Sequence, residues 1–219
     1  MTQPDDPPTV RSSYAGTPIG APLPAPGAAG PGPAAVPGPA GPGAPMAAVL
    51  VVLLIGAAVS VSLGVYGRLH SPTGVAINVS GFSGPLEVKV WLASTAFALA
   101  LVQLVSALAM YGRLPGIRTA AWVSPLHRWS GRLAFLATVP VAIHCLYALG
   151  FQSYDTRVLI HSLFGCLFFG AFTVKMLALS RSGLPGWALP AFGGAVFTGL
   201  TVLWLTSSLW FFTTIGVRF

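Results

Sequence analysis

The chain has 219 residues, of which 54% are hydrophobic and only 7% charged, with a formal net charge of +7 and a mean hydropathy of +0.79. A soluble domain carries about 25% charged residues to cover its surface, so a water-soluble fold is excluded. The basic residues stand singly between long apolar runs and do not gather on a polar face, which excludes nucleic-acid binding and marks them as membrane-flanking charges.

Residues 1–45 hold most of the 20 prolines and almost no bulky apolar side chain. Such a segment cannot bury enough surface to offset its ordering entropy, so a disordered Pro/Gly/Ala-rich tail is predicted, acting as a tether. Asp5, Asp6 and the rest of the tail precede the first apolar run, an order unlike that of a cleaved signal peptide.

A helix needs about 20 mostly apolar residues to cross the hydrocarbon core. Mostly apolar runs of that length cover Met46 to Tyr66, Val90 to Tyr111, His127 to Phe151 and Val158 to Leu179, and Pro185 and Pro190 place the start of a fifth near Ala188. The predicted fold is therefore all-α: a polytopic transmembrane bundle of about five helices over residues 46–219, with the lipid bilayer as its solvent.

Five crossings put Arg11, Arg113, Arg118, Arg128, Arg132, Lys175 and Arg181 on the side of the N-terminus, against Arg68, Lys89, Arg157 and Arg218 on the other. Basic residues favour the cytoplasmic side, so the N-terminus is expected in the cytoplasm and the C-terminus outside. The GC-rich composition points to a bacterial source, and hence to the plasma membrane.

Ionisable groups within spans are costly and mark function. Outside the tail the carboxylates are Glu87 and Asp155, both expected in external loops, which argues against a carboxylate relay or a Ser/His/Asp triad. The intramembrane candidates are histidines. His144 and His161 are nearly symmetric about the loop near Ser153, so an antiparallel hairpin brings them to one depth beneath the external face. Two neutral imidazoles at one depth can clamp the iron of a b-type haem as metal ligands. Interhelical hydrogen bonding without a cofactor, or a metal other than haem, would also account for the pair.

His127 and His161 both open a His-x-x-x-Gly-x-Leu-x-Phe pattern, with Gly131, Leu133 and Phe135 in one copy and Gly165, Leu167 and Phe169 in the other. A glycine one turn after the histidine removes the side chain that would obstruct a flat macrocycle, although glycine also serves close helix packing. His70, in RLHSP just after the first span, reads as an interface residue but is also a possible replacement ligand. Cys145 and Cys166 fall inside apolar runs and read as buried thiols rather than a disulfide framework. Pro140 should kink the third helix, Gln103 should serve as a packing hydrogen bond, and Gly193 and Gly194 should let the fifth helix approach a neighbour.

The HRWSGRLAF and IHSLFGCLFFGAF segments resemble the histidine-bearing helices of membrane b-type cytochromes, including the ascorbate-reducible and ferric-reductase-like groups. The resemblance covers the third and fourth spans. It implies histidine pairs across the bundle, usually holding more than one haem. This sequence departs from that pattern: His127 lies near the cytoplasmic end with no histidine at matching depth, so a single bis-histidine haem at His144 and His161 is the expectation. No dinucleotide fingerprint or phosphate loop is present, so electrons would come from a redox partner protein or a quinone. The expected function is a membrane cytochrome or a cytochrome-like subunit of a redox complex. The alternative is a cofactor-free scaffold or assembly subunit of a larger membrane complex.

Overall fold

The computed structural model describes residues 44–76, 78–114 and 120–219. The expected tail, apart from its last two residues, and Arg118 lie outside them. Five helices are each long and apolar enough to cross a membrane: α1 (Ala44–Leu69), α2 (Pro85–Met110), α3 (Val123–Leu149), α4 (Thr156–Leu179) and α5 (Ala188–Thr214). Among the described residues there is no strand. The protein is an integral membrane helical bundle. Large apolar side chains face outward, Leu54 being 68% exposed, a surface suited to a lipid solvent.

Helices α2 and α4 start earlier than the apolar runs for one physical reason: counting apolar residues discards the polar groups that begin helices. Pro85 occupies the first turn of α2 and Glu87 follows within it, where a missing N–H costs nothing and a carboxylate meets the positive end of the helix dipole. Glu87 and Lys89 are thus helical, not loop residues. Asp155 caps α4, its Oδ1 accepting from the Val158 N–H at 2.8 Å.

Helix α1 packs on α4, α4 on α5, α5 on α2, and α2 on α3. Lipid is as apolar as leucine, so close backbone approach and hydrogen bonds, rather than hydrophobic burial, hold such helices together. The α1–α4 crossing uses Gly56, Ser60 and Gly170, where a Cβ on Gly56 would lie 2.8 Å from the Gly170 carbonyl oxygen. Buried Val49, Val52, Val174, Ala178 and Phe192 close one end of that seam. Between α2 and α5, the Trp204 indole N–H donates to Ser94 Oγ at 3.1 Å, Ser208 Oγ donates to the Val90 carbonyl at 3.1 Å, and Phe97 stacks on Trp204 at 4.6 Å. Gly193 and Gly194 make no close approach, since a Cβ on either would meet nothing within 4 Å.

Helices α3 and α4 are consecutive but do not pack along their length. Phe135 of α3 meets Phe169 at 6.2 Å and stacks on Phe172 at 4.1 Å. Toward their shared loop the two helices part, and the space between them is filled by neither.

Candidate functional site

That space is a cavity of about 620 Å³ bounded by α2, α3, α4 and α5, within the roughly 300–1,000 Å³ typical of ligand and cofactor pockets. Its walls are mainly apolar, and it reaches the α3–α4 loop at Gln152 and Tyr154.

Two of its walls are wound abnormally. Beyond Ile143, helix α3 widens into a π turn over His144–Leu149, shortly after Pro140. Helix α5 does the same over Leu205–Leu209. π turns account for well under about 1% of residues, cost helix regularity, and are frequent at functional sites. Cys145, Leu146 and Leu149 from the first and Thr206 and Ser207 from the second line the same cavity. The first turn is held by the end of α1 and the segment after it: the Thr73 N–H donates to the Tyr147 carbonyl at 3.3 Å, the Gly74 N–H to the Ala148 carbonyl at 3.1 Å, and the Phe151 N–H to the Gly67 carbonyl at 2.7 Å. In the second, wide winding leaves the Thr206 carbonyl available to Arg157, whose Nη1 donates to it at 2.8 Å.

His161 lines the cavity. Its Nδ1 lies 3.0 Å from Thr206 Oγ1, and that hydroxyl donates to the Val202 carbonyl at 2.7 Å. A hydroxyl has one proton to give, so when Thr206 gives it to Val202 it accepts from Nδ1–H. In that arrangement Nε2 carries the lone pair, as a metal-binding imidazole requires. Gly165, one turn along α4, also lines the cavity, and a Cβ there would meet nothing within 4 Å.

At the mouth stand two cations. Arg157 is fixed by the Thr206 carbonyl, by the Trp210 ring 3.9 Å below its guanidinium, and by Asp155 at 3.9 Å. Lys89 lines the cavity from the second turn of α2 and forms no ion pair among the described residues.

The other histidines lie elsewhere. His144 is half-buried and is not among the cavity-lining residues, though its neighbour Cys145 is. One residue turns a helix by about 100°, which carries the His144 side chain off that wall. The chain thus sets the two histidines on facing helices, with only His161 turned into the space between them. His70 is stacked between Tyr66 at 5.0 Å and Tyr147 at 5.1 Å, with Nε2 3.2 Å from the Tyr147 carbonyl. His127 repeats the His161 device at the other end of the bundle: its Nδ1 lies 2.8 Å from Ser106 Oγ, which donates to the Val102 carbonyl at 2.6 Å.

The two His-x-x-x-Gly copies nevertheless differ. A Cβ on Gly131 would lie 3.0 Å from Gln103 Oε1. Gln103 fills the space that Gly165 leaves open, donating to the His127 carbonyl and to Ser130 Oγ at 2.8 Å. Gly131 serves helix packing, and Gly165 faces a void. The two cysteines are free thiols, both lining the cavity. Sequence reasoning missed Thr206, Arg157 and the two π turns. Only Pro140 hinted at irregular winding.

Residues 48–219 match a family of unknown function, DUF6529. No curated protein and no solved structure matches the chain.

Proposed function

We propose that this chain, which belongs to the DUF6529 family, is a membrane b-type cytochrome or the cytochrome-like subunit of a redox complex, its haem seated in the cavity among α2 to α5. The observation that carries this reading is His161: an imidazole anchored through Nδ1 to Thr206 on the wall of a cavity of about 620 Å³. The surroundings fit a haem in three further respects. The walls are apolar, Gly165 leaves the face of α4 flat, and Arg157 and Lys89 stand where propionates would emerge toward the loop. Two intact cations beside an apolar cavity suit an amphiphile with anionic groups at one end.

When bound, the haem supplies one-electron chemistry, with electrons provided and removed by a partner protein or quinone. The residues of this chain do the rest. Thr206 fixes the imidazole orientation, Trp210 and the Thr206 carbonyl hold Arg157 at the mouth, and the apolar walls of α2 and α5 keep water from the centre. His161→Ala should abolish haem retention. Thr206→Val removes the hydroxyl that orients the ring and should weaken haem affinity by about 10–100-fold. Haem per protein after purification with excess haem measures both. Equal haem content in wild type and His161→Ala would sink this assignment.

The cavity mouth is assigned to the external face of a bacterial plasma membrane, with the N-terminus in the cytoplasm, because seven of the basic residues fall on the N-terminal side and four on the other. Reporter fusions should therefore be active as cytoplasmic at the N-terminus and as external at the C-terminus and near Tyr154. The reverse pattern would overturn the orientation.

A further inference from the structure

We infer that the chain offers this haem one axial ligand, His161, and leaves the opposite coordination position open to a small neutral ligand such as carbon monoxide, nitric oxide or dioxygen. The inference rests on the haem reading above and concerns which residues can reach its two faces.

The sequence contains four histidines, and all four are placed. His161 alone lines the cavity. His70 is engaged between two tyrosine rings and bonded to the Tyr147 carbonyl. His127 is bonded to Ser106 at the opposite end of α3. His144 sits off the wall that Val141, Ala142 and Cys145 form.

Winding explains why His144 does not simply turn inward. The cavity face of α3 runs through Thr138, Val141, Ala142, Cys145, Leu146 and Leu149. At about 100° per residue these fall on one side of the helix, and His144 lies beyond its Val141 edge even before the π turn is considered. To bring it in, the chain would have to rotate a segment held by the Tyr147 and Ala148 hydrogen bonds to the α1–α2 connection and by the Phe151 hydrogen bond to Gly67 of α1.

The α2 and α3 wall of the cavity includes the small apolar residues Val90, Ala93, Val141 and Ala142, which carry no ligating atom. Cys145 lies on this wall as a free thiol, with no hydrogen-bond donor or cation bonded to it among the described residues to hold it as the thiolate that ligates iron. One anchored imidazole in a mainly apolar cavity that holds no second histidine is the arrangement that binds an uncharged diatomic molecule.

The test uses the full-length protein purified with haem. The ferrous protein should be high-spin, and carbon monoxide should convert its spectrum with a saturable titration. His144→Ala should leave both the spin state and the titration unchanged. His161→Gly should lose the haem and regain it on addition of free imidazole, a rescue that a merely misfolded variant would not show. A low-spin wild-type spectrum that resists carbon monoxide and turns high-spin in His144→Ala would overturn the open position and restore a histidine pair, with the cytochrome reading intact. A thiolate-type spectrum lost in Cys145→Ser would also overturn it. A colourless wild-type protein under saturating haem would defeat the cytochrome reading and this inference together.

Discussion

Gly170→Val should prevent α1 from seating against α4, and the protein should be recovered mainly as aggregate or as a protease-sensitive form. A Cβ at this position overlaps Ser60 and the Gly56 carbonyl of α1, and the carbonyl is backbone that cannot swing aside as a long side chain would. Overpacking a fixed contact costs about 1–3 kcal/mol and more where backbone must move. At roughly 2–4 °C per kcal/mol for a chain of this size, the melting temperature in detergent should fall by up to about 12 °C. Gly193→Val, in the same membrane environment with nothing within 4 Å of a Cβ, should shift it little. Equal melting temperatures for the two variants would show that the α1–α4 crossing is not as close as described.

The second large effect separates the two copies of the histidine–glycine pattern. Gly165→Leu places a branched side chain in open cavity space, so the haem-free protein should fold as well as wild type while haem content falls several-fold. Gly131→Leu should do the opposite. Its side chain would displace Gln103 from the His127 carbonyl and Ser130, leaving the part-buried Gln103 amide without these partners at a cost of about 1–3 kcal/mol. The folded fraction should drop, while the haem bound per folded molecule holds. Haem content and melting temperature measured on both variants make the comparison. Loss of haem in Gly131→Leu with stability unchanged would place a macrocycle at the wrong end of α3.

The spans were legible in the sequence because the membrane imposes a length and a polarity that any helix must meet. Ala188 was found as the start of α5 from Pro185 and Pro190, and Gln103 was recognised as a packing hydrogen bond. The first turns of α2 and α4 were not legible from apolar runs, since Glu87 and Asp155 belong to helix starts by electrostatics and capping rather than by hydropathy. The loop-symmetry argument fixed depth and not direction. It set His144 and His161 at similar levels, but facing depends on winding, and neither π turn leaves a mark in composition. Thr206 escaped notice because a hydroxyl that satisfies its own helix at Val202 reads as a neutral packing residue. Its second role exists only once α5 lies beside α4. Likewise Gly131 and Gly165 sit in matching contexts, and only the presence of Gln103 on α2 gives them different neighbours.

The most direct test of the central claim is a reduced-minus-oxidised absorption spectrum of the purified full-length protein, recorded beside His161→Ala prepared in the same way. A b-type haem difference spectrum in the wild type that is absent from His161→Ala is the predicted result. A colourless wild-type protein after expression with ample haem would contradict the cytochrome account and leave the scaffold alternative in its place.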